Sequence, residues 1–188
     1  MNQNAIETKN NLLEAFLRMY EQKPLSQITV KEVCTVAGYN RTTFYNHFVD
    51  MPDLLGQIED ETLGKIEAIV SRLTARDIFQ TDALFMGVKG IYQANQRIMS
   101  LLMTKTDSHF PPKMKSLMFR TITGFCQGLS VAESKKLNVA ITYHFSAVLG
   151  VFSHWIQRQD GLQMEEMVDY VKEISQGGVL TAINKMVQ

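Results

Sequence analysis

The chain has 188 residues, 45% of them hydrophobic, with 19 Lys and Arg set against 19 Asp and Glu. That length suits one large core or a small head with a larger body, and the balanced charge excludes the basic excess with which many nucleic-acid binders hold phosphate. No run approaches the roughly 18 apolar residues of a membrane helix, the polar start MNQNAIETKN lacks the apolar core of a signal peptide, and Cys34 and Cys126 suggest no disulfide framework, so a reducing cytoplasm is the expected location.

The first helix is expected from about Glu7 to Glu21, with Leu12, Leu13, Phe16 and Tyr20 inward and Pro24 beyond its end. Thr29-x-x-Glu32 is then a capping box, in which the threonine caps a backbone N–H three residues on and the glutamate reaches back. Ile28 and Val33 occupy hydrophobic-staple positions, and Val30, Val33, Val36 and Ala37 give this short helix a small apolar face. Gly38 ends it in the left-handed region. Asn40 is a competent N-cap for the next helix, whose Phe44 and Phe48, four apart, share one face and anchor it to a core. Asp50 caps a further helix with Pro52 in its first turn, where a missing N–H costs little. That helix is expected from Met51 to about Leu73, so it is about 34 Å long at ~1.5 Å per residue and joins head to body.

Two more helices are expected over Asp82–Gln93 and Gln96–Met103, then a loop over Asp107–Pro112, because Pro111 and Pro112 break helix interiors. A helix over Lys113–Gln127 follows, ending near Gly128. Ser130-x-x-Glu133 is a second capping box and opens a long helix to about Gln159; Gly161 stops it, and a last helix starts near Met164. No strand pair is legible. The expected class is all-α: a three-helix head over residues 1–50 and a helical body over residues 51–188, about nine helices in all.

Helix, glycine turn and polar-aromatic helix together outline a helix-turn-helix DNA reader. The face opposite Phe44 and Phe48 mixes phosphate donors with bifunctional groups for base edges. The candidate DNA-binding residues are Thr29, Tyr39, Asn40, Arg41, Thr42, Thr43, Tyr45, Asn46 and His47. Tyr39, Arg41 and Asn46 are assigned to base edges or groove, and Thr29, Thr43, Tyr45 and His47 to phosphates. The plain alternative is the solvated face of an ordinary small helix.

These residues resemble the DNA-binding domain of the TetR family of bacterial one-component regulators. The family's pattern is met by Ile28, Thr29, Val30, Val33, Ala37-Gly38-Tyr39-Asn40, Thr43-Phe44-Tyr45, His47-Phe48 and Asp53-Leu54-Leu55. Two positions depart: Met51 stands where the family often has a phosphate-contacting lysine, and Thr42 where it often has glycine. The head also balances Lys9, Arg18, Lys23, Lys31 and Arg41 against Glu7, Glu14, Glu21, Glu32 and Asp50, so modest nonspecific binding is expected. A second, weaker resemblance lies in Tyr143–Ile156, which is similar to the penultimate helix of a TetR subgroup whose C-terminal domain resembles that of the dihydroxyacetone-kinase regulators.

The long helix before Gly161 carries three apolar stripes. Leu137, Ile141, His144, Val148, Val151 and Trp155 form a heptad-like seam; Phe145, Leu149, Phe152 and Ile156 form a second; and Ala140, Ala147 and Gly150 a third, of small residues. A helix apolar on so many sides is covered from several directions, either inside one monomer or by a second copy. The expected dimer interface is Ala140, Ala147 and Gly150 with Met167, Val171 and Ile174 of the last helix, as the resemblance also implies. Candidate effector-pocket residues are Phe85, Tyr92, Met99, Met103, Phe119, Phe125, Tyr143, His144 and Trp155; eleven methionines make an adaptable interior suited to an apolar or aromatic ligand. Stripes of this kind are otherwise ordinary core, and His144 is otherwise a core or interface histidine.

The four histidines lack metal-ligand spacing, Gly87-Val-Lys-Gly90 lacks the form of a phosphate loop, and no nucleophile sits in a catalytic setting, so no metal, cofactor or enzymatic activity is expected. The resemblance implies a homodimeric, ligand-responsive, cytoplasmic transcriptional repressor that places two heads on a pseudo-palindromic DNA operator. The rival reading is a regulatory module of the same fold whose body binds a partner protein instead of a small molecule.

Overall fold

A computed structural model of the chain describes residues 3–80, 83–126, 128–158 and 161–178, with the side chains of residues 79, 80, 83–85 and 176 outside that description. The described residues form ten α-helices and no strand. They fall into two compact units, residues 1–62 with 105–109, and residues 63–104 with 110–188. The division lies inside the fourth helix, twelve residues past the expected boundary at residue 50.

In the first unit, α1 (Gln3–Gln22) buries Leu12, Ala15, Phe16, Leu17 and Tyr20. A single 3-10 turn, Leu25–Gln27, follows Pro24. α2 (Val30–Ala37) begins at Thr29, whose side chain accepts from the Glu32 N–H while Glu32 accepts from the Thr29 N–H, so the capping box is complete. Gly38 closes α2 at φ 77°, a left-handed conformation that costs glycine nothing. Val33 and Ile28 are buried as a staple requires, but Val36 is 54% exposed and stands off the apolar face expected of it. α3 (Arg41–Tyr45) is capped by Asn40, whose side-chain oxygen accepts from the Thr43 N–H at 2.8 Å. Phe44 and Phe48 are both buried with ring centroids 5.3 Å apart, and α1 packs on α2 and α2 on α3. At α4 (Met51–Val70), Asp50 accepts from the Asp53 N–H and Asp53 from the Val49 N–H, both at 2.8 Å.

Residues 105–109 cluster with this first unit although more than 80 positions separate them from α1. The Asp107 carboxylate accepts from the Tyr20 hydroxyl and from the Leu25 N–H. Glu59, 1% exposed, accepts from the Ser108 hydroxyl at 3.0 Å and the His109 N–H at 2.7 Å.

The second unit holds the end of α4 with α5 (Ala75–Gln80), α6 (Ala83–Ala94), α7 (Gln96–Thr104), α8 (Phe110–Phe125), α9 (Val131–Arg158) and α10 (Met164–Gln176). α5 was not expected; its signal is Thr74-x-x-Asp77, which forms a capping pair by Thr74 N–H to Asp77 at 2.8 Å. α8 begins at Phe110, so Pro111 and Pro112 lie in its first turn rather than in a loop. Proline is tolerated there because first-turn N–H groups have no intrahelical partner. The expected helix ends at Gln127 and Gln159 fall outside the described residues; α8 and α9 end at Phe125 and Arg158. α9 is long and apolar enough to cross a membrane by length and composition alone. One of its apolar faces packs on α7, α8 and α10, and Ser153 and Trp155 fix it by hydrogen bonds to the Met103 and Leu162 carbonyls.

Candidate DNA-binding face and body cavity

The capping residues present α3. Asn40 spends its side-chain oxygen on the Thr43 N–H and hydroxyl, which leaves its amide –NH2 for a ligand. Arg41, Thr42, Tyr45 and Asn46 are exposed with Thr29 and Asn40, while Tyr39, Thr43 and His47 are half-buried. All nine candidates therefore lie on the surface of the first unit, opposite the buried Phe44 and Phe48. Arg41 reaches the Tyr45 hydroxyl at 3.4 Å along the helix, so two of the longest side chains on this face are held parallel. The Tyr39 hydroxyl accepts from the Asn11 amide at 3.0 Å, which fastens the turn to α1.

Part of the charge on this unit is paired internally. Lys23 pairs with Glu32 at 2.8 Å and Arg18 with Glu14 at 3.1 Å. Lys23, then the Thr29 hydroxyl and N–H, hold the Glu32 carboxyl down at about 2. Met51 is buried, so it adds a core contact to this unit and no cation. Cys34 is buried, and burial pushes its thiol up, away from reactivity.

The second unit contains a cavity of about 100 Å3. It is lined by Ile66 of α4, Ile78 of α5, Val88 and Lys89 of α6, Met114, Met118 and Ile122 of α8, and by stretches of α9 and α10. α9 supplies His144, Phe145, Val148, Leu149 and Phe152, and α10 supplies Met164, Met167, Val168 and Val171. Lys89 pairs with Glu165 at 2.5 Å, which lowers the Glu165 carboxyl. His144 is 7% exposed, and burial lowers its pKa so that the imidazole is neutral near pH 7.

Of the nine expected effector-pocket residues, His144 lines this cavity. Met99 and Met103 are fully packed in the core. Tyr92 meets Phe152 and Trp155 edge-on and Trp155 stacks on Phe152, with centroids 5.3–6.0 Å apart, and neither Tyr92 nor Trp155 is in the lining. Tyr143 is 66% exposed, Phe125 is half-buried, and the Phe85 side chain lies outside the described residues. Phe119 lines a different, more open cavity of about 450 Å3 with Cys126 and Lys135. The branched and methionine residues of α8 and α10 were missed because aromatic residues were favoured over them; their i, i+4 spacing (Met114–Met118–Ile122, Met164–Val168, Met167–Val171) was the available signal.

Of the expected dimer residues, Ala147, Gly150 and Ile174 are exposed and Ala140 is half-buried. Met167 and Val171 turn into the cavity instead. Val151, placed on a buried seam, is 43% exposed, and with Val139 and Tyr143 it extends the exposed apolar face of α9. Among the described residues no group of three or more His, Cys, Asp or Glu is placed to hold a metal.

No family model matches the chain. Over 68 residues, 35% of this chain, it is 32% identical to the HTH-type transcriptional regulator AcrR of Shigella flexneri, a stretch that spans 32% of that relative's length. The fold matches the dihydroxyacetone kinase operon activator DhaS with a TM-score of 0.58 over 95% of this chain and 97% of that one, at 18% identity. The TetR family repressor AlkX from a Dietzia species aligns over 96% and 97% of the two chains with a TM-score of 0.49, at 16% identity. The architecture is thus an all-helical fold with a helix-turn-helix head, shared with DhaS. About a third of the chain is similar in sequence to part of a transcriptional regulator, and the chain as a whole shares the fold of DhaS.

Proposed function

We propose that the chain is a homodimeric, ligand-responsive transcriptional repressor that binds a pseudo-palindromic DNA operator in the cytoplasm. The observation that carries this reading is the exposed polar face of the capped α3 and the residues flanking it, backed by the buried pair Phe44 and Phe48. Arg41, Asn46 and Tyr39 read base edges and groove; Thr29, Thr43, Tyr45 and His47 hold phosphate. Two such faces in successive major grooves need a dimer. The exposed apolar face of α9 (Val139, Tyr143, Ala147, Gly150, Val151) with Tyr170 and Ile174 of α10 is the surface that a second copy covers.

The effector binds in the cavity that His144 lines. α4 carries both Ile66, in that lining, and Glu59, two turns earlier in the first unit. A ligand that prefers one setting of α4 shifts the balance of head positions by its differential affinity, and DNA weakens ligand binding by the same factor. Repression is the sign proposed, although an activator, DhaS, shares the fold.

The test is binding of the purified protein to DNA upstream of its own gene, with scrambled DNA as competitor and salt varied. Saturable binding at two protomers, or a multiple, per site supports the reading. Binding no tighter than to scrambled DNA at any salt overturns it in favour of a partner-protein module.

A further inference from the structure

The His144 imidazole is unusual among the polar groups of the body. It is 7% exposed, lines the cavity, and makes no hydrogen bond with any of the described residues. Its one close neighbour of note is the Phe145 ring, at a centroid distance of 5.2 Å. None of the described buried side-chain nitrogens or oxygens is both sealed and unpartnered, so the imidazole keeps an accessible polar edge, a group that a ligand can hydrogen-bond. The rest of the lining sets what that ligand is. Ile66, Met118, Val148, Leu149 and Met167 present methyl and thioether groups. Lys89 also reaches the lining, but its ammonium is paired with Glu165 at 2.5 Å. An anion would have to break that pair and shed its own hydration among carbon atoms, and a cation would find no partner there. The volume of about 100 Å3 is below the ~150 Å3 of an apolar protein cavity that takes up benzene, so a single small ring is the upper limit for the occupant.

We propose that the cavity binds a small neutral molecule, apolar over most of its surface, whose single hydroxyl or carbonyl group hydrogen-bonds the His144 imidazole. A hydroxyl meets either tautomer of a neutral imidazole, because it both donates and accepts, and a carbonyl meets the N–H. The proposal rests on the reading of the body as an effector-binding unit, and it names the chemical class that this unit selects.

The test uses the full-length protein with phenol, benzene and benzoate as probes, by calorimetry and thermal shift, and then the variants His144→Leu and His144→Gln. Phenol is expected to bind about tenfold more tightly than benzene, the worth of one hydrogen bond, and benzoate more weakly than either. His144→Leu removes the phenol preference and leaves benzene binding in place. His144→Gln, which keeps a donor and an acceptor, retains the preference and decides the matter if the leucine variant fails to fold. Equal binding of phenol and benzene, tightest binding of benzoate, or no binding of any probe overturns the proposal. Operator titration with saturating phenol separates the two claims: His144-dependent phenol binding that leaves DNA affinity unchanged keeps this inference and sinks the effector reading.

Discussion

The Tyr20 hydroxyl of α1 donates to the Asp107 carboxylate, 87 residues further along the chain, and the same carboxylate takes the Leu25 N–H at 2.7 Å. One side chain thereby holds the last turn of α1 and the 3-10 turn that leads into α2. Burial first, then Asp107, push the Tyr20 hydroxyl far above its ordinary range, so the phenol stays protonated as a donor. Tyr20→Phe removes one bond to a charged acceptor and is expected to lower stability by about 1.5–3 kcal/mol. Asp107→Ala strands both donors and costs more. Urea unfolding of the two variants checks the order, which fails if Tyr20→Phe is the more damaging.

Arg41→Ala is expected to weaken operator binding about tenfold or more, since a base-edge contact is worth about 1–3 kcal/mol. Its exposed side chain meets only the Tyr45 hydroxyl among the described residues, so folding stability should move by less than ~0.5 kcal/mol. Unchanged operator affinity in a folded dimer would remove Arg41 from the interface.

The capping box of α2 gives the first unit an acid sensitivity. The folded Glu32 carboxyl titrates at about 2, below its ordinary 4.5. The unfolded state therefore binds the proton first, so the stabilisation is complete above pH ~4.5 and is lost as pH falls toward about 2. Glu32→Gln should flatten the acid limb of stability against pH in that window. An identical limb in the variant would assign the acid sensitivity elsewhere.

Two glycines make opposite predictions. Gly150 sits on the exposed face of α9, and a Cβ there would meet nothing within 4 Å. Gly150→Ala should raise monomer stability by about 0.8–1 kcal/mol through helix propensity, whereas Gly150→Arg should keep the helix and shift the dimer toward monomer in sedimentation. Gly87 is the contrary case: its added Cβ would come within 2.7 Å of the Ile69 Cγ2. That methyl is on the branched carbon and cannot swing away cheaply, so Gly87→Ala should lower Tm despite the better helix former. A rise in Tm would show that α4 and α6 separate without cost.

The amino-acid sequence by itself determined the helical class, the capping boxes at Thr29, Ser130 and, unread, Thr74 and Gln163, the left-handed stop at Gly38, and the outward face of α3. These are decided within four residues of chain, by backbone groups that need partners and by side chains spaced to supply them, so they are legible without a fold. Pro111 and Pro112 were misplaced by one turn because the same residue is excluded from a helix interior and accepted at its start. Only the tertiary structure decided which apolar stripe faces what. Met99 and Met114 are alike in sequence, yet one is core and the other lines a cavity; Val148 and Val151 lie on one seam, yet one lines the cavity and the other faces outward. The segment 105–109 joins the first unit through Asp107 and Ser108, pairing with Tyr20 and Glu59, which periodicity cannot foretell. Burial of apolar area is nondirectional, so a helix apolar on several sides specifies that it is covered but not by which neighbour, and that choice belongs to the packing of the whole chain.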